Sequence, residues 1–183
     1  MQEYSVTDEG RWDMEKDNKK RKQIWKGYRD FFIRLGIFIL LLYLFFTRIL
    51  FLSRVNGMEM FPSLKDGDLA LGYRLEKEYR ANDVVAYEEN GKICFGRVIA
   101  LGGDEVEIDG TGDVKINGAS ESGEIMYPSR DGGKLKYPYK VPENSFFLLG
   151  DYREETGDSR SYGAISKKQI KGKVITILRR RGL

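Results

Sequence analysis

The chain of 183 residues contains no histidine and one cysteine, Cys94. Without histidine, Ser–His–Asp and Cys–His catalysis are excluded, and a zinc site loses its commonest nitrogen ligand. With one cysteine no disulfide forms within the chain, so the fold must hold by packing and hydrogen bonding. Four prolines stand against 21 glycines, a balance suited to strands and turns. The net charge of +3 is too small to point to nucleic acid, and none is expected as a partner. Gly102-Gly103 is followed by neither the lysine nor the helix of a phosphate loop and reads as a turn. No metal or cofactor is expected.

What is present is unevenly distributed. Residues 1–30 are polar, with seven Lys/Arg and one acid between Lys16 and Arg29. Residues 31–53 are apolar, without a charge from Leu35 to Thr47. As a helix this stretch would measure about 35 Å, enough to cross a hydrocarbon core of about 30 Å. Arg34 and Arg48, near its two ends, can snorkel to headgroups. The run ends without a small-x-small cleavage site, so it reads as a retained single-pass anchor in the plasma membrane. The basic flank precedes it, which predicts residues 1–30 in the cytoplasm and 54–183 outside.

Residues 54–183 lack helical periodicity. Short β-rich runs occupy 68–75, 83–88, 92–100, 105–108, 113–117, 145–150 and 173–178, separated by turn signals such as Asn90-Gly91 and Asn117-Gly118. The expected fold class is mainly β: a transmembrane helix followed by an extracytoplasmic β-domain. The stretch of about 107–140, rich in Gly, Ser and Lys, reads as a cap or insertion. Arg179-Arg180-Arg181 reads as a solvated tail, or as a contact with anionic lipid.

Three segments resemble type I signal peptidase, the membrane serine protease that removes signal peptides: Val55 to Leu71, Phe95 to Ile108, and Leu148 to Gly163. Order, spacing and distance from the anchor agree with that family. Gly57, Met60, Pro62, Leu64, Gly67 and Asp68 match its first pattern. Arg97, Val98, Ile99, Leu101, Gly103 and Asp104 match the second. Gly150, Asp151, Arg153, Asp158, Ser159, Arg160 and Gly163 match the third, where Tyr152 replaces Asn and Thr156 keeps a hydroxyl.

The resemblance implies a serine nucleophile, weak at its free pKa, and a buried lysine base. Here the serine position holds Glu59 and the lysine position Gly96, so no peptidase activity is expected. Cys94 and Ser63 have no base to activate them, and Cys94 reads as a small buried apolar residue. Glu59 sharing a proton with Asp151 or Asp158 is conceivable, but Asp158 more plausibly pairs with Arg160 or Arg153. Glu59 is either solvated in an open cleft or bound by amides of its own turn or by Arg153; the expectation is an open, water-filled cleft, with Gly96 leaving the space of a lysine stem.

The resemblance further implies that substrate adds as a strand to a sheet edge, which needs no catalytic pair. Gly57, Met58, Met60, Pro62 and Phe95 are the implied substrate-binding residues. Arg97, Asp151, Arg153, Thr156, Asp158, Ser159 and Arg160 are the implied supports. The expected role is a non-catalytic binder of an exported preprotein or pilin peptide, an accessory of pilus assembly with a sortase as a further partner. The alternative is an active signal peptidase with displaced catalytic residues. An apolar groove lined by Met58, Met60 and Phe61 would argue against a module without any binding function.

Overall fold

The computed structural model describes residues 8–121, 127–130, 132–133 and 135–179; of residues 8–17 it describes the backbone alone. Parts of the expected cytoplasmic segment and cap, together with Arg180 and Arg181, lie outside those residues. The chain forms two units, Met1–Phe46 and Thr47–Leu183.

The first unit is a helix, α1, Asp8–Arg48. Within it Asn18–Arg48 contains a stretch long and apolar enough to cross a membrane. Its Phe, Leu and Ile side chains from Phe31 to Phe46 are exposed, as a lipid-facing surface must be. The helix ends earlier than the apolar run does. Leu50–Arg54 forms strand β1, antiparallel to β2. The expected anchor over 31–53 is therefore corrected to end at Arg48. The reason is a change of burial period after Thr47-Arg48: Phe51 is buried while Leu52 is exposed, the alternation of a strand.

The second unit is all-β apart from one helical turn. Its further strands are β2 (Leu69–Tyr73), β3 (Val84–Glu89), β4 (Lys92–Leu101), β5 (Glu105–Ile108), β6 (Val114–Ile116), β7 (Ala119–Ser120), β8 (Tyr139–Lys140), β9 (Ser145–Leu149), β10 (Ile165–Ser166) and β11 (Ile170–Leu178); helix α2 is Ser159–Tyr162. The larger sheet has the order β1-β2-β11-β3-β4-β9-β10 and the smaller one β7-β6-β5-β8. All pairings are antiparallel.

Two hairpins turn on Asn-Gly pairs with positive φ at both residues, Asn90 (50°) with Gly91 (75°) and Asn117 (52°) with Gly118 (80°). These are the left-handed angles that a two-residue hairpin demands. Each predicted β run contains a strand; β1, β7, β8 and β10 are additional, and three of them have only two residues.

Faces of the larger sheet bury separate clusters. Phe51, Val55, Met60, Leu64, Ala70, Ala86 and Phe95 form one. Tyr79, Val85, Tyr87, Val98, Phe146, Leu148 and Ile165 form another. The third joins the two sheets: Val106, Ile108 and Val114 pack with Ile99, Ala100, Phe147 and Leu149. The stretch expected as a cap outside the core thus contributes to the core. Its apolar residues are few but alternate correctly, so each short strand still buries one side.

Candidate functional site

Glu59 sits in a turn that follows β1 and is pinned by its own backbone. Val55 N–H donates to the Asp68 carbonyl (2.8 Å), and Gly67 N–H to that of Val55 (2.9 Å). Gly57 N–H donates to Asp66 Oδ1 (3.0 Å), and Phe61 N–H to the Met58 carbonyl (2.9 Å). From the third motif, Tyr152 N–H donates to the Glu59 carbonyl (2.9 Å). Gly150 is required here, because a Cβ on it would collide with that same carbonyl oxygen. Gly57, at φ +99°, lets the Glu59 side chain fold back, with Oε2 2.5 Å from where a Gly57 Cβ would stand.

The Glu59 side chain itself is exposed and accepts no hydrogen bond from the described residues. The exposed setting is that of the open alternative, and Arg153, the candidate donor of the other, is engaged elsewhere. Arg153 instead donates to both oxygens of Glu121 (2.6 and 2.5 Å), to Ser129 Oγ (3.1 Å) and to the Gly150 carbonyl (3.1 Å).

Gly96 corrects a second expectation. A side chain there would start in a tight place. Gly96 is buried, and a Cβ there would lie 3.2 Å from Leu148 Cβ and 3.3 Å from Tyr87 Cε1. The Tyr87 ring, 1% exposed, lies beside the direction of the stem. Its hydroxyl pairs with that of Tyr162 at 2.6 Å, and Tyr162 donates onward to the Gly157 carbonyl at 2.7 Å. Both phenols are pushed up from their ordinary values, chiefly by burial, so both stay protonated. Neither tyrosine belongs to the motif pattern. The distances that bring them together, 75 residues apart in sequence, are tertiary.

The alternative nucleophiles have no activation. Burial first, then the charges of Glu59 and Glu89, push the half-buried Cys94 thiol up, so it is a protonated, poor nucleophile. Ser63 Oγ accepts a hydrogen bond from Arg97 Nη2 at 3.3 Å and has no base beside it. A carboxylate pair is equally absent. Asp151 is held by Arg97 at 2.7 and 2.6 Å, and Asp158 by Arg160 at 2.9 and 2.6 Å.

The supporting residues come together as a rigid floor. Arg160 is 0% exposed and reaches the carbonyls of Arg130, Arg153 and Glu155 besides Asp158. Asp158 caps α2 through Arg160 N–H and accepts Gly150 N–H at 3.0 Å. Ser159 Oγ accepts Leu148 N–H at 2.9 Å. Thr156 serves through its backbone, its carbonyl accepting from Ser161 Oγ. Buried charges of this kind persist where each is paired and hydrogen-bonded. Glu121 and Ser129, partners of Arg153, were beyond reach of the motif pattern.

The substrate-binding residues divide. Gly57, Met58 and Pro62 remain at the surface, Met58 being 46% exposed. Met60 and Phe95 are 2% and 7% exposed and belong to the core beneath β1 and β3, so they line no groove. The expected groove of Met58, Met60 and Phe61 is not formed. Met60 points inward, its carbonyl accepting Leu64 N–H at 2.8 Å, while Lys65 lies over the Phe61 ring.

The backbone of β4 is unevenly paired. β3 pairs with β4 from Lys92 to Arg97, whereas β9 pairs with it from Arg97 to Leu101. From Lys92 to Gly96 the strand therefore has one neighbour and, among the described residues, an open second edge. Glu59 stands at the end of that edge, where its carbonyl crowds Gly150, the residue after β9. An unpaired edge offers backbone donors and acceptors to an extended chain. At the two positions where the resemblance expects serine and lysine stand Glu59 and Gly96.

The description "Signal peptidase, peptidase S26" matches residues 28–178. The chain is similar to Signal peptidase I of Bacillus licheniformis, 30% identical over 173 residues, covering 86% of this chain and 90% of that protein. It is similar to Signal peptidase IB of Staphylococcus aureus, 28% identical over 140 residues, covering 66% and 73%. Among solved structures, a signal peptidase I from Enterococcus faecalis aligns with a TM-score of 0.47 and 28% identity, covering 55% of this chain and 98% of that one.

Proposed function

The chain belongs to the signal peptidase, peptidase S26 family, and from that premise we propose that it is a membrane-anchored member without peptidase activity, which holds an exported protein or peptide as an added strand along β4. The observation that carries the reading is the open Lys92–Gly96 edge ending at two positions, Glu59 and Gly96, that supply neither hydroxyl nor amine. Strand addition draws its affinity from main-chain hydrogen bonds, which the loss of the pair leaves intact. A carboxylate at the serine position also opposes an oxyanion, so hydrolysis there is disfavoured twice.

Support for the orientation, with the β-domain outside, is the basic flank from Lys16 to Arg29 ahead of the apolar helix. Within this reading, the first role to test is that of an accessory in pilus assembly, with a pilin as cargo and a sortase as neighbour. Its support is the resemblance to signal-peptidase-like chains that lack the pair.

The test uses the full chain in detergent with an exported preprotein. Cleavage should not exceed the blank, and a photo-crosslinker at Ile93, which is 42% exposed on β4, should trap the preprotein. Turnover abolished by Cys94→Ala or Ser63→Ala would overturn the reading in favour of an active peptidase with displaced residues. Failure of Ile93 to trap any exported chain would remove the binding role.

A further inference from the structure

We propose that the peptide held on the β4 edge carries a lysine or arginine whose cation pairs with the Glu59 carboxylate. This rests on the strand-binding reading above and names the chemistry that the site selects.

Three acids of the motif segments already hold a cation. Asp68 is held by Arg179 at 2.7 Å, Asp151 by Arg97 at 2.6 Å and Asp158 by Arg160 at 2.6 Å. Asp66 accepts the Gly57 amide at 3.0 Å. Glu59, by contrast, is exposed and accepts no hydrogen bond among the described residues.

Its backbone is the opposite of free. The Glu59 carbonyl is fixed by Tyr152 N–H, and the turn is closed by the Phe61 N–H bond to Met58. A carboxylate on a fixed backbone beside an open strand edge is a preorganised acceptor, since little of the chain must be ordered when a ligand arrives. Its charge is felt along β4, where it helps to raise the Cys94 thiol two residues before Gly96. Met58, next to Glu59 and 46% exposed, offers apolar surface on which the methylenes of a lysine or arginine can lie. An acidic side chain at the same place would meet uncompensated repulsion, so the site discriminates by sign.

The test uses the full chain in detergent and fluorescent decapeptides of alternating Ala and Val. One residue at a time is replaced by Lys, by uncharged norleucine or by Glu. At one register the Lys peptide should bind about 1.5- to fivefold tighter than its norleucine twin, the range of an exposed ion pair. That advantage should fade toward about 1 M salt, where the screening length is about 3 Å. It should vanish in Glu59→Gln and pass to the Glu peptide in Glu59→Lys, with unchanged melting as the control for folding. Peptides that bind the wild type without regard to charge would overturn this inference and leave the strand-binding reading standing. A Lys preference that survives in Glu59→Gln would do the same. Failure of every peptide to bind would sink both.

Discussion

Gly96→Ala should destabilise the protein, although alanine ordinarily stabilises a chain relative to glycine. Gly96 is not at a positive φ, so the substitution gains about 0.4–1 kcal/mol by restricting the unfolded state. Against this, the new Cβ must stand 3.2 Å from Leu148 Cβ and 3.3 Å from Tyr87 Cε1. Neither neighbour can yield cheaply. Leu148 is 0% and Tyr87 1% exposed, and the Tyr87 hydroxyl is tied to Tyr162. Overpacking of this kind costs about 1–3 kcal/mol, so the net expectation is a loss of roughly 1 kcal/mol.

Gly96→Lys adds three further methylenes and an ammonium to the same place, and desolvating an unpaired ammonium costs several kcal/mol. Glu59→Ser, at an exposed side chain without a partner, should stay within about 0.5 kcal/mol. The combined change that restores serine and lysine should therefore fold poorly, and the lysine substitution should account for nearly all of the loss. The assay is urea unfolding of the detergent-solubilised full chain, followed by tyrosine near-ultraviolet circular dichroism. Tryptophan fluorescence would miss the event, since Trp12 and Trp25 both belong to α1. Tyr87→Leu removes the offending ring atom, and in that background Gly96→Ala should cost about 1 kcal/mol less, a coupling expected of residues in contact. A Gly96→Ala variant as stable as the wild type would refute the reasoning and reopen the lysine position.

Arg160→Leu should cost about 3–5 kcal/mol, because it leaves Asp158 buried without its cation; in the same urea series Arg54→Leu, at an exposed guanidinium, should cost under about 1 kcal/mol. The Asp68 carboxyl is held below its ordinary value of 3.8, chiefly by hydrogen bonds from Arg179. A carboxyl lowered by folding stabilises above its unfolded value and loses that contribution as pH falls through the folded value. Melting between pH 4 and pH 2 should thus fall more steeply for the wild type than for Asp68→Asn, and parallel curves would contradict the pair's role. Protease added to intact protoplasts should remove the β-domain and spare the N-terminal segment; the reverse pattern would invert the topology.

Much of the fold is legible in the sequence. Asn90-Gly91 and Asn117-Gly118 specify their hairpins through the left-handed tolerance of the two residues, a wholly local property. Asp158 and Arg160 are two residues apart and pair as their spacing suggests. The end of the anchor was not legible, because Leu50-Phe51-Leu52 is as apolar as the helix before it. What draws it into β1 is a partner strand some twenty residues on, Leu50 lying opposite Tyr73. Met60 and Phe95 sit in the right motifs, yet a motif does not say which side of the sheet a residue faces; packing with Phe51 and Ala86 turned them inward.

The sequence by itself determined that this chain carries an apolar helix and a β-domain, that three motif segments keep their order, and that their nucleophile and base positions hold Glu59 and Gly96. The helix and the strands follow from composition and period, properties of neighbours along the chain; the motif order and the two positions are what the family resemblance implies. The tertiary structure alone decided what surrounds those two positions. Tyr87 and Tyr162, far apart in sequence, pair through their hydroxyls, and the Tyr87 ring stands 3.3 Å from where a Gly96 Cβ would lie. Arg153 turns from Glu59 to Glu121, 32 residues away. Pairing of β4 with β9 stops at Arg97 and leaves the edge beside Glu59 open. Contacts between distant residues depend on how strands align and on which side chains compete for the same buried volume, and in a close-packed interior that competition is settled only when all of them are in place.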